Sequence, residues 1–348
     1  MGDIRIANCI EMFFKPEDTW QTGIDRFLKH AEVEKVGGEM AWFKLGKPLH
    51  TLEAAGELES ILKYIRDQSG EKGVGWEAIH WLGAAIPGFY LTHPNEKVRN
   101  FTAECIAEQC KALYQIRGEK KGGVGVVGSP FQRNLAGLKE NYGITITWRQ
   151  AEEYFADTIA KAVRFSEGTG VIIAPERLVY TSNKAALLKP IDGKGETDLM
   201  HTMAGAVRVV KMAREKLQQY GNLAERVAVM VDFKAAYGSG ETPVQAYGKI
   251  PEGLATYHAH VQAGASKLMP GFNARGLFEV DDTPDISGDI NFLAERANEG
   301  KRVVLSTEAF PPADTILAKN SISIPRGFSM SNGYLKKLIA ASPYKGRG

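Results

Sequence analysis

The sequence has few cysteines, almost no net charge and no long apolar run. Its 348 residues include three cysteines, and 43 basic side chains nearly balance 41 acidic ones, which leaves a formal net charge of +2. Without an excess of positive charge, the chain lacks the electrostatic footprint of proteins that bind a nucleic-acid backbone or an anionic membrane surface. No stretch is long and apolar enough to predict a membrane-spanning helix.

The cysteines also indicate which compartment the protein occupies. Cys9, Cys105 and Cys110 form no CxxC pair, and their spacing suits neither a zinc ribbon nor a redox pair. We therefore expect free, buried thiols in a reducing compartment. The first residues contain no basic segment followed by an apolar one, so we expect no signal peptide and a cytoplasmic location.

Apolar runs alternate with helical patterns along most of the chain. The helical stretches show a 3.6-residue periodicity and capping residues, and they cover 51–67, 95–116, 147–165, 198–219 and 288–297. Eight apolar runs read as strands, several of them apolar almost throughout, as strands buried on both faces require. These runs are 4–14, 38–43, 73–82, 123–127, 171–174, 227–233, 256–261 and 302–310.

This alternation is typical of a doubly wound sheet or a closed (β/α)8 barrel. No GxGxxG motif follows the first strand, so the dinucleotide fingerprint of the doubly wound alternative is missing. We therefore predict a single-domain (β/α)8 barrel over residues 1–314, followed by a basic segment over 315–348. That segment is expected to be a helix or tail that packs on the barrel or forms an oligomer contact.

Polar residues end the last four predicted strands, where a barrel carries its active site. They are Glu176, Asp232, the pair His258 and His260, and Glu308. Taken singly, each has an ordinary explanation, such as a helix cap for Asp232, a core histidine or a loop acid. Taken together, three acids at one rim would repel one another without a cation. Carboxylate and imidazole ligands suit Mn²⁺, Mg²⁺, Co²⁺ or Zn²⁺ better than copper.

The same residues resemble the xylose isomerase-like TIM barrel superfamily, which includes ketose 3-epimerases, hydroxypyruvate isomerase and inosose dehydratase. Residues 258–271, from His-Ala-His to Met-Pro-Gly, are similar to the His-x-His and Pro-Gly of the ketose 3-epimerases, and 288–292 resembles the segment that follows. The resemblance implies a divalent metal, Mn²⁺ first with Mg²⁺, Co²⁺ or Zn²⁺ as alternatives. Its implied ligands are Glu176, Asp232, His260 and Glu308.

The resemblance also implies a metal-dependent sugar isomerase or epimerase that acts on a ketose or keto-sugar through an enediolate. Glu176 and Glu308 would then transfer the proton, and His258 would orient a neighbour or assist that transfer. The expected partner is a small sugar, with no nucleic acid or membrane, and the protein is expected to be a homo-oligomer or a hetero-oligomer. The candidate substrate-binding side chains are Lys234, His80, Trp81 and Lys267.

Several positions depart from the family pattern and keep other functions open. Many members have a histidine where this chain has Ala235, and epimerases often have acids where it has Ser182 and Ala263. A lyase or dehydratase that cleaves a 3-keto-sugar or 3-oxo-glycoside by β-elimination is therefore an alternative, as is a non-catalytic barrel subunit. The related abasic-site endonucleases need more metal ligands and a basic surface than seven histidines and a charge of +2 provide.

Overall fold

The computed structural model describes residues 2–14, 18–41, 56–81, 91–128, 138–176, 200, 202–261, 285–307 and 324–346. Within these residues, eight parallel strands form a closed barrel in which each strand pairs with its neighbours in chain order and the first pairs with the last. The strands are β1 (Ile4–Cys9), β2 (Gly37–Ala41), β3 (Trp76–Trp81), β4 (Val124–Gly128), β5 (Ile172–Glu176), β6 (Val229–Asp232), β7 (Ala255–His260) and β8 (Val303–Thr307).

Helices alternate with the strands and cover the outside of the barrel. They are α1 (Trp20–Glu34), α2 (Leu58–Lys72), α3 (Glu96–Ile116), α4 (Trp148–Phe165), α5 (Met203–Leu217), α6 (Phe233–Gly238), α7 (Pro243–Gly248), α8 (Ser287–Asn298) and α9 (Ile324–Ala341). The predicted (β/α)8 fold is thereby confirmed. Thr147 shows why the starts are predictable, since it begins α4 with a capping box in which its side chain and that of Gln150 exchange hydrogen bonds with the backbone.

Two elements end earlier than the sequence predicts. The apolar run 4–14 is a strand only to Cys9, and Ile10–Phe13 is a 3-10 helix. Ile10 and Phe13 are both buried, and the three-residue period of a 3-10 helix brings them to one side. The run is mostly apolar, with Arg5, Asn8 and Glu11 as its polar residues, and this pattern does not mark the residue at which the change occurs. The helix predicted over 198–219 begins at Met203 and gives way after Leu217 to a 3-10 segment, Gln218–Arg226.

A bulge in β3 determines which of its side chains enter the barrel. Gly38 of β2 lies opposite Trp76, but the next residue, Glu39, lies opposite Ala78, so Glu77 is an extra residue on β3. Trp76 therefore packs outward, where its indole N–H donates to Ser69 Oγ at 2.8 Å. A side chain at Gly38 would collide with the Trp76 ring, since a Cβ would come within 2.8 Å of it.

The hydrophobic core has two parts of unequal size. A large cluster fills the space between the barrel and its helices, and a small one of five buried residues is separate from it. The small cluster consists of side chains from four adjacent strands, namely Ala78, Val124, Val126, Ala174 and Met230. Neighbouring positions on these strands carry buried polar groups instead.

The helix α9 packs against the first strand. Its Phe328 is buried and stacks on Phe13 with ring centroids 5.1 Å apart. Asn332 and Asn8 of β1 each donate to the other's amide oxygen at 2.9 Å, and both side chains are fully buried. The predicted division at residue 314 lies outside the described residues and stays a prediction.

All three cysteines are free thiols, as predicted. Cys9 and Cys110 are buried, while Cys105 is half-buried. Burial raises the pKa of the Cys105 and Cys110 thiols to about 12, so neither is a reactive thiolate at neutral pH. Within the stretches that the structure describes, no helix has the length and apolarity that a membrane span requires.

Arg226 ties the end of α4 to the start of β5. Its guanidinium donates to the backbone carbonyls of Val171 at 2.9 Å and Ser166 at 3.1 Å. It also donates to the hydroxyls of Ser166 and Thr169. These acceptors are buried and would otherwise face no water, so the arginine satisfies several groups at once.

Replacement of Arg226 by methionine should lower the free energy of unfolding by about 2–3 kcal/mol, because buried carbonyls lose charged donors. Urea denaturation measures this loss. Arg149→Met is the control, since the Arg149 side chain is 88% exposed and its change should stay within about 0.5 kcal/mol. Equal stability of the Arg226 variant and the wild type would contradict a bracing role.

Candidate metal centre

The carboxyl ends of three consecutive strands bring together Glu176, Asp232 and His260. Each is the last residue of its strand, and the register places Asp232 opposite His260. One potential ligand atom from each of the three residues lies within 4.8 Å of the others, and all three residues are buried. The structure thus places three of the four predicted metal ligands at one end of the barrel. The fourth, Glu308, directly follows β8 in the sequence and lies outside the described residues.

His260 lies between two carboxylates. Its Nδ1 is 2.6 Å from Glu176 Oε1, and its Nε2 is 2.8 Å from Glu39 Oε1. Glu39, on β2, belongs to a second group of potential ligands that also contains His80 and His260. The imidazole of His260 is therefore shared by two acidic positions on opposite sides of its ring.

Two further histidines complete the cluster. Nε2 of His258 lies 3.1 Å from Glu39 Oε2, and Nε2 of His80 lies 3.3 Å from Glu176 Oε2. Since His258 and His260 are two apart on β7, their side chains are on the same face of the strand, as the sequence predicts. In the described part of the chain, the ion-pair partners of Glu39 and Glu176 are all histidines.

The histidines keep both glutamates ionised despite their burial. Burial raises the pKa of Glu39, but His260 and His258 lower it by more, so that it lies well below its usual range. The pKa of Glu176 is likewise raised by burial and lowered further by His260 and His80, and it lies below its ordinary value. Both groups are therefore carboxylates at neutral pH, which is the form that binds a cation.

The chemistry of the donor set fits a divalent metal ion. Oε2 of Glu176 is buried, and His80 Nε2, 3.3 Å away, makes no well-directed hydrogen bond to it, so this oxygen is available to coordinate an ion. Two carboxylates and an imidazole form a hard to borderline set of ligands, of the kind that binds Mn²⁺, Mg²⁺, Co²⁺ or Zn²⁺.

Asp232 has a structural role as well as its place in the cluster. It is the N-cap of α6, and its Oδ1 accepts a hydrogen bond from the backbone N–H of Ala235. The cap expected as the ordinary explanation for this residue is therefore present. It does not exclude metal binding, because a carboxylate has a second oxygen. The two explanations of Asp232 are compatible.

Of the other predicted site residues, the structure describes the side chain of His80 but not those of Trp81, Lys234 and Lys267. His80, predicted to line a sugar pocket, is buried beside Glu176, and its ring centroid lies 5.2 Å from that of His260. The side chains of Trp81 and Lys234, and the whole of Lys267, lie outside what the structure describes.

Glu39 was not among the residues predicted from the sequence. Its position in the sequence could have indicated a buried polar role, since Glu39 is the only charged residue in the apolar run 38–43. A single acid inside a strand that is otherwise apolar must find a buried partner. The sequence does not show that this partner is on β7.

Solved structures with the same fold cover nearly the whole chain. D-psicose 3-epimerase with D-tagatose from Clostridium cellulolyticum H10 is 12% identical, with a TM-score of 0.57 and 98% of each chain covered. The 3-keto-D-glucoside 4-epimerase YcjR from E. coli is 15% identical, with a TM-score of 0.58, over 96% of this chain and 100% of that one. The IolI protein with a bound zinc atom is 12% identical, with a TM-score of 0.59, over 99% and 100%.

Sequence comparison gives no comparable match. No protein-family model matches the chain, and neither does any curated protein sequence.

A further solved structure, a xylose isomerase domain protein from Alicyclobacillus acidocaldarius, is 13% identical, with a TM-score of 0.59 over 97% of this chain and 99% of the other. At such identities the likeness establishes the fold alone, and this chain shares the closed (β/α)8 barrel of these solved structures.

Proposed function

We propose that this protein is a divalent-metal-dependent sugar isomerase or epimerase that acts on a ketose or keto-sugar. The observation that carries this proposal is the convergence of Glu176, Asp232 and His260 at the carboxyl end of the barrel, where enzymes of this fold carry their active sites. The similar structures with epimerase names support the same class of reaction. Fold alone does not determine function, so the argument depends on the site.

The proposed metal ligands are Glu176, Asp232 and His260, with Glu308 as the fourth. When bound, a divalent ion acts as a Lewis acid that polarises the sugar carbonyl and stabilises the negative charge formed next to it. Mn²⁺ is our first choice, and Mg²⁺, Co²⁺ and Zn²⁺ are alternatives. The zinc atom in the IolI protein is consistent with a site of this kind.

The chain's own acids would move the proton. Glu176 is ionised, so a carboxylate oxygen that does not hold the ion would accept the proton from the carbon next to the carbonyl. Glu308 is the proposed second acid. Return of the proton to the neighbouring carbon gives the isomer, and its return to the opposite face of the same carbon gives the epimer. The side chains of His258, His80, Trp81, Lys234 and Lys267 stay proposed contributors to proton transfer or sugar binding.

A lyase is the second candidate, favoured by the surroundings of Asp232. Where many members of the superfamily have a histidine, this chain has Ala235, which is buried and whose N–H binds the Asp232 carboxylate. A methyl group there can neither bind a sugar hydroxyl nor transfer a proton. The same carbanion formed next to a 3-keto group can expel a leaving group from the β carbon instead of regaining the proton.

We expect the purified protein to bind about one divalent ion per chain. Addition of Mn²⁺ at about a hundred times its dissociation constant should raise the free energy of unfolding by about 2.7 kcal/mol. Elemental analysis and thermal unfolding measure the two effects. Glu176→Gln should remove most of the binding, whereas Glu152→Gln, at a buried acid paired with Arg208 on the outer helices, should leave it unchanged. Failure of the wild type to bind any divalent ion would contradict the proposal.

Two substitutions at Asp232 separate its cap from its metal ligand. Asparagine retains a side-chain oxygen that caps a helix well, but it is a poorer ligand than a carboxylate. Asp232→Asn should therefore weaken Mn²⁺ binding while changing the stability of the metal-free protein little. Asp232→Ala should in addition lower that stability by about 1 kcal/mol. Calorimetric titration and urea denaturation give the two quantities, and normal Mn²⁺ affinity in the asparagine variant would exclude Asp232 as a ligand.

Reaction in D₂O tests the chemistry itself. Incubation of the Mn²⁺-loaded protein with a panel of ketoses and 3-keto-sugars should place deuterium on the carbon next to the carbonyl of the recovered sugar. Glu308→Gln should lower the rate by about 10²–10⁴-fold, as expected for loss of an acid–base group, and Glu152→Gln should not. Release of water or an aglycone would identify the lyase. A metal-loaded wild type that converts nothing in the panel and incorporates no deuterium would oppose both candidates.

A further inference from the structure

Glu39 forms a bridge between two histidines of β7. Its Oε1 lies 2.8 Å from His260 Nε2, and its Oε2 lies 3.1 Å from His258 Nε2, so each oxygen of the carboxylate meets one ring. All three side chains are at most 1% exposed. A carboxylate so deeply buried is tolerated only when both oxygens have donors, and here the two imidazoles provide them.

The bridge fixes where the hydrogens of both rings lie. An ionised carboxylate only accepts hydrogen bonds, so the Nε2 atoms of His258 and His260 must both carry hydrogen. A neutral imidazole has one N–H, which leaves Nδ1 with its lone pair. In His260 this Nδ1 is the atom that lies 2.6 Å from Glu176 Oε1. Two acceptors at that distance repel each other unless a proton or a cation neutralises them.

We infer that Glu39 is a positioning residue that holds His260 with its hydrogen on Nε2, so that Nδ1 is directed to a divalent metal ion beside Glu176. The inference rests on the proposed function, since it concerns the metal of that same site. Histidines that bind metals commonly donate their other ring N–H to a carboxylate, which sets the tautomer and raises the basicity of the ligand.

The surroundings of Glu39 hold its carboxylate in one orientation. Its backbone lies in β2 between Cys9 of β1 and Ala78 of β3, so the strand has partners on both sides. The bond from His258 fixes the second oxygen, and with it the plane of the carboxylate. His258 therefore acts on the metal site through Glu39. The sequence predicts that His258 orients a neighbour or assists proton transfer, but it does not identify the residue that His258 contacts.

Glu39 has an alternative role as a metal ligand itself, together with His80 and His260, because their potential ligand atoms also lie within 4.8 Å of one another. The two roles differ in which ring nitrogen of His260 binds the metal. If Glu39 positions His260, the ring binds the metal through Nδ1, whereas a metal shared with Glu39 would bind Nε2. The nitrogen shifts of the histidine ring distinguish these two cases.

The test uses Mn²⁺ affinity in two variants of the full chain. Glu39→Ala removes both acceptors, and Glu39→Gln retains one acceptor and replaces the other with a donor, so it can serve only one of the two rings. Both variants should bind Mn²⁺ about 10–100-fold more weakly than the wild type. Glu77→Gln is the matched control, since Glu77 is a buried acid on β3 whose partners are Arg5 and Arg302 rather than histidines. It should bind Mn²⁺ like the wild type.

A second measurement separates positioning from a loss of stability. In the wild type loaded with Zn²⁺, ¹⁵N spectra should show His260 with its hydrogen on Nε2 and the metal on Nδ1, and the pattern should be lost in Glu39→Gln. Wild-type affinity in both Glu39 variants, or Zn²⁺ on Nε2 in the wild type, would overturn the inference and leave the proposed function standing. A wild type that binds neither ion would overturn both.

Discussion

His260 lies between two buried carboxylates, and the arrangement of the barrel's polar interior depends on that contact. Glu39 from β2 and Glu176 from β5 reach the same ring from opposite sides, so the contact joins strands that are not neighbours in the barrel. Each glutamate also meets a second histidine, so that the cluster comprises five buried side chains. Burial raises the pKa of both acids, and the neighbouring histidines lower it by more.

The sequence predicts the residues whose placement follows from a single strand. Glu176, Asp232 and His260 each end a buried run, and the ends of parallel strands meet at one face of a barrel. That prediction requires only the strand pattern and the fold. The contacts of Glu39 with His258 and His260 require more, because they depend on which side chains meet after the barrel closes. More than 200 residues separate these partners along the chain, and no local pattern encodes their distance.

Local irregularities account for the remaining differences from the sequence prediction. The change from strand to 3-10 helix after Cys9 occurs within a mostly apolar run whose few polar residues do not mark where the strand ends. The bulge at Glu77 alters which residues of β3 face inward, and next to it the Trp76 ring packs closely against Gly38. Asp232 shows the opposite case, in which an expected helix cap and an expected ligand position are the same residue. The bulge in β3 lies where two strands pair, whereas the cap at Asp232 is a local feature of the sequence.

The pairing of β1 with β8 has a consequence for how the chain folds during synthesis. Ile4 pairs with Val303, so one edge of the first strand stays without its partner until about 300 further residues have been made. A free strand edge is a site at which a strand of another chain can pair. The helix α9, which places Asn332 against Asn8 of β1, follows β8 in the sequence and is therefore made later still. One edge of the first strand therefore stays unpaired through most of translation, and the barrel closes only when β8 has been made.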